Sequence, residues 1–231
     1  MGGIAFMKII WLGQAGLLLE HNGYKVMIDP YLSNSVVKVN PRNFRRVPVD
    51  ESFFEIKPDM MIFTHNHLDH YDPETAPRFI TDKTNITVLA PTSAWNEVRK
   101  IGGVNNYVAF DRHSEWSEGG LRITAVKAVH SDAYAIGVII DDGEKKYYVT
   151  GDTLYNSEIF EDIPSDIYAI FLPVNGVGNN MNMTDAKRFC ERVKPTVAVP
   201  MHCGMFDELD LNDFAYESKV VPTLWKEINL K

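Results

Sequence analysis

Short apolar runs recur through both halves of the sequence, and they constrain the fold more than any other feature. Each run has the length of a β-strand and ends at a turn signal or a polar residue, which is typical of strands buried in a sheet. Strands are predicted at 6–12, 15–21, 24–29, 59–64, 85–91, 121–130, 133–140, 145–152, 167–174 and 195–202. A chain with this many strands has to pair them in sheets.

Turn and helix signals lie between these runs. Asn22 and Gly23 separate two strands and predict a tight hairpin, and Asp142 with Gly143 predicts a second turn. Helices are predicted at 92–102, capped by Thr92 or Ser93 and ended by glycine, and at 183–194, capped by Thr184. Strands and helices mixed in both halves favour an α/β fold with two packed sheets and helices outside them.

The composition is that of an ordinary globular protein. The 231 residues fit one large domain or two small ones, and no linker or repeat divides them, so we expect a single domain over 1–231. The net charge of -8 argues against a nucleic-acid binder, which needs a basic surface. Two cysteines are too few for a disulfide framework, and no apolar run approaches the roughly 18 residues of a transmembrane helix. We expect a cytoplasmic protein without a membrane partner, and a homo-oligomer is compatible with this composition.

The N-terminal stretch carries no recognisable targeting signal. “MGGIAFMKII” lacks the charged region and cleavage site of a signal peptide, and Phe6 breaks the myristoylation pattern. Met7 is a second candidate start, in which case residues 1–6 would be a non-native or disordered extension.

Three of the seven histidines lie in the stretch “FTHNHLDHYD”, residues 63–72, directly after a predicted buried strand. His65 and His67 alternate, so they project from the same side of an extended segment, and Asp69 and His70 can turn back toward them. Neutral imidazole is the commonest protein ligand for divalent transition metals, and a carboxylate adds charge. A histidine-rich surface loop is the alternative, but this clustering after a buried strand favours a metal site.

Three distant residues strengthen the prediction because each follows or ends a strand. His130 ends “ITAVKAVH”, Asp152 follows “KKYYVTG”, and His202 ends “TVAVPMH”. Strands hold side chains more accurately than free loops do. His21 and His113 have no such placement, and we expect them to be structural or surface residues.

The ordered set “HNHLDH”, “AVH”, “TGDT” and “PMHCG” resembles the metallo-β-lactamase superfamily of hydrolases. Within it, “WLGQAGLLLE”, “IDPYLSNS” and “LPVNGVGNNMN” are similar to the ascorbate-phosphate lactonase-like branch. The resemblance implies an αββα sandwich of two mixed sheets flanked by helices, with a metal site at one edge. It also implies two divalent ions, Zn²⁺ or Mn²⁺, with His65, His67 and His130 holding one, Asp69, His70 and His202 holding the other, and Asp152 bridging them.

Such a site predicts hydrolysis. A water shared by two cations would exist as hydroxide near neutral pH and would be the nucleophile. Asp152 and Asp69 are the candidate catalytic residues, the first as the bridge and the second as the group that takes or passes the proton. The superfamily's di-iron oxygen reductases resemble this motif but carry Glu where this chain has His67, so the histidine favours hydrolysis over redox chemistry.

Residues outside the ligand set are predicted to orient the site or to bind the substrate. Asp29 is either a carboxylate that orients the metal loop from behind or a turn residue. The loop 31–48 is basic and contains no acidic residue, so it either recruits a phosphate or carboxylate or is an ordinary solvated loop. The candidates are Arg42, Arg45 and Arg46 in that loop and Asn175 and Asn182 in “NGVGNNMN”, which is either a pocket wall or a turn before a helix.

The sequence therefore favours a metal-dependent hydrolase acting on a small anionic ester or lactone, with a phosphorylated sugar lactone preferred. A phosphodiesterase or nuclease of the same superfamily is one alternative, but it would need a longer basic surface. A metal-binding or ligand-sensing module without turnover is another. Structural zinc sites are usually closed by four ligands, whereas seven candidate ligands are present here.

Overall fold

The computed structural model describes residues 7–230, so the predicted extension at residues 1–6 lies outside the described residues. The first sheet contains β1 (Lys8–Gly13), β2 (Gly16–His21), β3 (Tyr24–Ile28), β4 (Met60–Ile62), β5 (Thr87–Ala90) and β6 (Asn106–Ala109), neighbours in that order. The second contains β7 (Glu115–Glu118), β8 (Leu121–Lys127), β9 (Ile136–Asp141), β10 (Lys146–Val149), β11 (Ile167–Pro173) and β12 (Val197–Met201), also in sequence order.

Both sheets are mixed, as the resemblance implied. In the first, β1 to β3 pair antiparallel and β3 to β6 pair parallel. In the second, β7 to β10 pair antiparallel and β10 to β12 pair parallel. The parallel strands of each sheet end at the same edge, which is where open α/β sheets place their sites.

The predicted hairpin between β2 and β3 is confirmed. His21 pairs with Tyr24 across a two-residue turn, and Asn22 and Gly23 both have positive φ, at 52° and 86°. A type I′ turn requires positive φ at both central positions, which asparagine and glycine tolerate best.

The core lies between the two sheets, and helices cover their outer faces. Leu17 and Leu19 of β2 point into the core between the sheets, whereas Leu18 points to the opposite face, as the alternation of a strand requires. The α-helices are α1 (Ala76–Phe79), α2 (Thr92–Val98) and α3 (Met183–Val193), and short 3₁₀ helices occupy Ser35–Lys38, Glu51–Glu55, Arg99–Ile101, Ser157–Glu161 and Leu211–Asp213. Helices α1 and α2 pack on the first sheet and α3 on the second. The predicted α/β sandwich is confirmed.

The predicted helix caps are wrong. Helix α2 begins after Pro91, because Asp111 accepts hydrogen bonds from the backbone N–H and hydroxyl of Thr92, at 2.8 and 2.7 Å. A side chain from another element thus supplies the cap. Helix α3 is capped by Asn182, which accepts from the N–H of Asp185 at 2.9 Å, and Thr184 already lies inside the helix.

Two further differences concern strands. Strand β8 ends at Lys127 and not at His130, because its pairing with β9 stops at Lys127. Val129 instead exchanges hydrogen bonds with the segment after β10, donating to the Thr153 hydroxyl and accepting from the N–H of Leu154. Strands β6 and β7 were not predicted, since they are partly exposed edge strands without an apolar run.

No helix in the described part of the chain is long and apolar enough to cross a membrane.

Candidate metal centre

The carboxyl ends of strands from both sheets deliver the predicted ligands to one edge of the sandwich. Asp29 directly follows β3, and the histidine stretch 63–72 directly follows β4. On the second sheet, Asp152 follows β10, His202 follows β12, and His130 follows β8. Residues far apart in the sequence are therefore neighbours, and the seven predicted ligands form three overlapping groups.

His65, His67 and His130 form the all-histidine group, whose ligand atoms lie within 4.8 Å of one another. Nε2 of His130 lies 3.1 Å from Nδ1 of His67. His65 is fully buried, and its Nε2 has no hydrogen-bond partner among the described residues. Burial lowers the pKa of His65 well below its usual range and also lowers the pKa of His130. Both imidazoles are therefore kept in the neutral form that binds metal.

Asp69, His70 and His202 form the mixed group, with the same 4.8 Å limit between their ligand atoms. The Nε2 atoms of His70 and His202 are 3.1 Å apart, and Nε2 of His202 lies 3.3 Å from Oδ2 of Asp69. His202 has φ of 61°, a left-handed conformation that turns its side chain away from the course of β12.

Asp152 lies between the two groups. Its Oδ1 is 3.1 Å from Nε2 of His202 and 3.2 Å from Nε2 of His70, and its Oδ2 is 4.0 Å from Nε2 of His130. Asn180 donates a hydrogen bond from Nδ2 to Oδ2 at 2.8 Å and so fixes the carboxylate. This is the position that a bridging ligand requires.

Asp29 supports the histidine stretch from behind. Its Oδ1 accepts from the N–H of Thr64 at 2.8 Å, and its Oδ2 lies 2.5 Å from the Thr64 hydroxyl and 2.7 Å from Nδ1 of His70. A proton on Nδ1 of His70, facing this carboxylate, leaves Nε2 free to bind a metal. The two predicted alternatives for Asp29 coincide, since it has a turn conformation (φ 43°) and also orients a ligand.

Carboxylates dominate the electrostatics of the mixed group. Burial alone would lower the pKa of His70, but Asp152, Asp29 and Asp69 outweigh burial and raise it well above its usual range. Burial of His202 is likewise outweighed by Asp152 and Asp69, which raise its pKa to about 9. Burial would raise the pKa of Asp69 and of Asp152, but the neighbouring histidines lower both. The carboxylates thus stay ionised and require positive charge beside them.

The donor set fits divalent metal ions. All seven side chains offer imidazole nitrogen or carboxylate oxygen, a combination that both Zn²⁺ and Mn²⁺ accept. The buried Nε2 of His65, which has no partner among the described residues, has a use as a metal ligand. Cations would also neutralise the buried carboxylates and allow every imidazole to bind in its neutral form.

A cleft of about 400 Å³ opens onto both groups. The ligands in its lining are His67, Asp69, Asp152 and His202, and the other lining residues are Gln14, Val36, Asn43, Ser131, Asn175, Val177, Gly178, Asn179, Asn180, Phe206 and Asp207. Apart from the ligands, this lining is apolar or uncharged except for Asp207. It contains no lysine or arginine within the described range.

The three predicted arginines do not lie among the residues that line the cleft. Arg45 donates from Nη1 to the carbonyl of Tyr31 at 2.6 Å and from Nε to the carbonyl of Val47 at 2.9 Å, so it stabilises its own loop. Arg46 pairs with Glu208 at 2.9 Å, and Arg42 is exposed. Two of the three arginines therefore have partners outside the cleft lining, within the loop itself and at Glu208.

The two asparagines that were predicted to bind the substrate have different side-chain contacts. Asn175 lines the cleft, and its Nδ2 lies 3.1 Å from Nδ1 of His202. Asn182 is the cap of α3 and pairs with the backbone of Asn175. The two histidines without a predicted site role lie elsewhere, His21 buried on β2 beside Asn22 and His113 exposed beside Asp162.

Sequence reasoning missed several residues that contact the ligands, and Gln14, Asn180 and Thr64 are three of them. Gln14 touches Asp69 and His202, Asn180 holds Asp152, and Thr64 joins His65 to Asp29. Only Gln14 had a signal, since it is a polar residue within the apolar run “WLGQAGLLLE”. Thr64 and Asn180 lie in polar stretches where nothing distinguishes them from their neighbours.

A family model described as the beta-lactamase superfamily domain matches residues 8–202. A UPF0173 metal-dependent hydrolase of Thermoplasma acidophilum is 30% identical over 209 residues, covering 87% of this chain and 85% of its own. A UPF0173 protein of Pyrococcus furiosus is 28% identical over 212 residues, covering 91% and 90%.

Two solved structures share the fold. Igni18, a metallo hydrolase from the hyperthermophilic archaeon Ignicoccus hospitalis, has a TM-score of 0.76 at 21% identity, covering 96% of this chain and 97% of its own. An isothiocyanate hydrolase from Delia radicum gut bacteria has a TM-score of 0.74 at 20% identity, covering 96% and 98%. At these identities the likeness concerns the architecture.

Proposed function

Because this chain belongs to the metallo-β-lactamase superfamily and, within it, to the UPF0173 metal-dependent hydrolases, we propose that it hydrolyses a small uncharged ester or lactone with two divalent ions, Zn²⁺ or Mn²⁺. The superfamily is the one that the sequence motifs predicted. The observation that carries the proposal is the meeting of the all-histidine group and the mixed group at Asp152, on the floor of an open cleft.

Two divalent ions, when bound, would polarise the carbonyl oxygen and bring the pKa of a water near 7. The chain's own residues have the tasks of holding those ions and moving a proton. The all-histidine group would hold one ion, the mixed group the other, and Asp152 would contact both. Asp29 and Asn180 would keep His70 and Asp152 in position for this task.

Asp69 is the better candidate for moving the proton. Its side chain is 18% exposed, against 5% for Asp152, and both line the cleft. Despite burial, the neighbouring histidines lower the pKa of Asp69, so its carboxylate is ionised. Asp152 is more enclosed, which suits a residue that holds the ions rather than one that exchanges protons.

The lining of the cleft supports an uncharged substrate. The sequence favoured a phosphorylated sugar lactone because of the lactonase-like branch resemblance and the basic loop, but the arginines of that loop lie outside the lining. A phosphate remote from the ions is held best by a cation, and the described lining contains none. Val36, Val177 and Phe206 instead offer apolar contacts, which suit the body of a neutral ester or lactone.

The rival functions predict different properties of the same cleft. A phosphodiesterase or nuclease would need cations along the substrate path, and the described lining contains none. A module that only binds metal needs no cleft beside its ligands, whereas four of the seven ligands here line one. Both observations favour hydrolysis of a small molecule.

The test is a substrate panel on full-length protein, stripped of metal and reconstituted separately with Zn²⁺ and Mn²⁺. The panel contains a lactone and its phosphorylated counterpart, an uncharged ester, a phosphodiester, a β-lactam and nucleic acid. We expect turnover of the uncharged lactone or ester only in the reconstituted protein, with up to two ions per chain by elemental analysis. Metal-stripped protein and Asp152→Ala are the controls. Failure to take up either metal would refute the proposal, and preference for the phosphorylated lactone would refute its substrate class.

A further inference from the structure

Gln14 lies in the turn between β1 and β2 of the first sheet, beside the metal centre. It follows β1, and its backbone has φ of 50° next to Gly13 at 93°. Its carbonyl accepts from the indole N–H of Trp11 at 3.0 Å and from the N–H of His202 at 3.1 Å. The backbone of Gln14 is thus anchored on both sides, and only 1% of the residue is exposed.

The side chain of Gln14 reaches ligands of one group. Its Nε2 lies 2.9 Å from Oδ2 of Asp69 and 3.2 to 3.3 Å from the ring nitrogens of His202. The opposite assignment of the amide would face its oxygen toward the carboxylate of Asp69, so Nε2 is the donor. The other end, Oε1, is buried and has no partner among the described residues, so the amide is held through Nε2 alone.

The contacts of the Gln14 side chain are with one of the two ligand groups. Asp69 and His202 belong to the mixed group, and the hydrogen bonds of the Gln14 side chain include no member of the all-histidine group. Each of the two catalytic candidates therefore has its own amide, since Asn180 donates to Asp152 in the same way at 2.8 Å. Asp69 needs such support more, because its carboxylate is 18% exposed and lies in a turn after the histidines.

We propose that Gln14 is a positioning residue for the second metal ion: its amide N–H holds Asp69 in the rotamer in which the mixed group can bind. The inference rests on the proposed pair of metal sites and is independent of the substrate. Removing an outer hydrogen-bond partner of a metal ligand typically weakens metal affinity about 10–100-fold. The expected defect is confined to one of two sites, which a general loosening of the fold would not produce.

The experiment is a calorimetric titration of metal-stripped full-length protein with Zn²⁺, repeated with Co²⁺, whose visible absorption reports its coordination. Wild type should bind in two steps. Gln14→Met keeps the volume of the side chain and removes the donor, so one of the two steps should lose about 10–100-fold in affinity while the other stays unchanged. Ser131→Ala is the matched control, because Ser131 contacts His67 of the all-histidine group at 3.4 Å and should leave the mixed-group step unchanged.

A double-mutant cycle tests the route through Asp69. Gln14→Met introduced into Asp69→Ala should cost little further affinity, because the group that Gln14 holds is already gone. An equal loss in both backgrounds would mean that Gln14 acts through His202 or on the ion directly, and would overturn the proposal. Circular dichroism of the metal-free variants checks folding, and Gln14→Leu takes the place of Gln14→Met if the latter does not fold.

The outcomes separate this inference from the proposed function. If wild-type protein binds only one ion, the two-ion hydrolase is refuted. If wild-type protein binds two ions and Gln14→Met binds both with unchanged affinity, the role of Gln14 is refuted while the hydrolase stands.

Discussion

The histidine stretch 63–72 and the basic loop 31–48 are both local concentrations of chemically active side chains, yet the fold uses them in opposite ways. Side chains of the histidine stretch meet partners from distant strands, as His70 does with His202, 132 positions later. Side chains of the basic loop have separate partners, as Arg45 does with the carbonyls of Tyr31 and Val47 and Arg46 with Glu208, 162 positions later, so they do not meet at one point. A cluster in sequence therefore indicates a shared site only when the fold directs its members to one point.

The difference follows from what precedes each segment. The histidine stretch comes directly after β4, whose position is determined by parallel pairing with β3 and β5 on both sides. The basic loop has only the 3₁₀ helix Ser35–Lys38 in its first half, so many of its carbonyls are not paired in a ladder. Because backbone groups away from water need partners, Arg45 is recruited to supply them.

The largest expected effect comes from removing one of the predicted metal ligands. His67→Ala and Asp152→Ala should each lower kcat/KM by about three decades or more, since a catalytic metal contributes several kcal/mol to transition-state stabilisation. Both should remain folded, because the core between the sheets does not depend on them. Steady-state kinetics on the substrate identified by the panel, with elemental analysis of each variant, measures the effect. Near wild-type turnover in either variant would remove that residue from the site.

An intermediate effect is expected from replacing Asp29, which contacts a predicted ligand without being one. Asp29→Asn replaces the carboxylate that faces Nδ1 of His70 and should weaken metal affinity about 10–100-fold. Asp72→Asn is a matched control, because Asp72 is equally buried but accepts from Glu74 and Thr75 and not from a predicted ligand. Competition with a chromophoric chelator measures both affinities. Equal affinities for the two variants would show that Asp29 serves only the turn.

The smallest effect on activity is expected in the basic loop. Arg45→Met removes two charge-assisted hydrogen bonds to carbonyls and should lower the free energy of unfolding by about 1.5–3 kcal/mol, whereas exposed Arg42→Met should change it by less than about 0.5 kcal/mol. Urea denaturation gives both values. Neither variant should alter the ratio of kcat/KM between a lactone and its phosphorylated counterpart. A loss of kcat/KM confined to the phosphorylated substrate would show that the loop belongs to the substrate-binding site.

Much of the site could be predicted because histidine and aspartate, the residue types that bind metal here, are concentrated in a few short segments. The residue type and the spacing indicate a metal site at His65, His67 and His70. His130 and His202 follow strands that apolar runs already predict. The helix caps could not be predicted in the same way, since Asp111 reaches Thr92 from another element and no local pattern records that contact.

The amino-acid sequence by itself determined most of the strands, which side chains can bind metal and, through its motifs, the superfamily. Only the tertiary structure decided that Gln14 and Asn180 hold the two carboxylates, that Asn182 caps a helix, and that the arginines stay out of the cleft. The physical reason is the range of the interactions. Strand patterns and ligand types depend on neighbouring residues, whereas these contacts depend on the order of strands in two sheets and on how the sheets meet at their carboxyl ends.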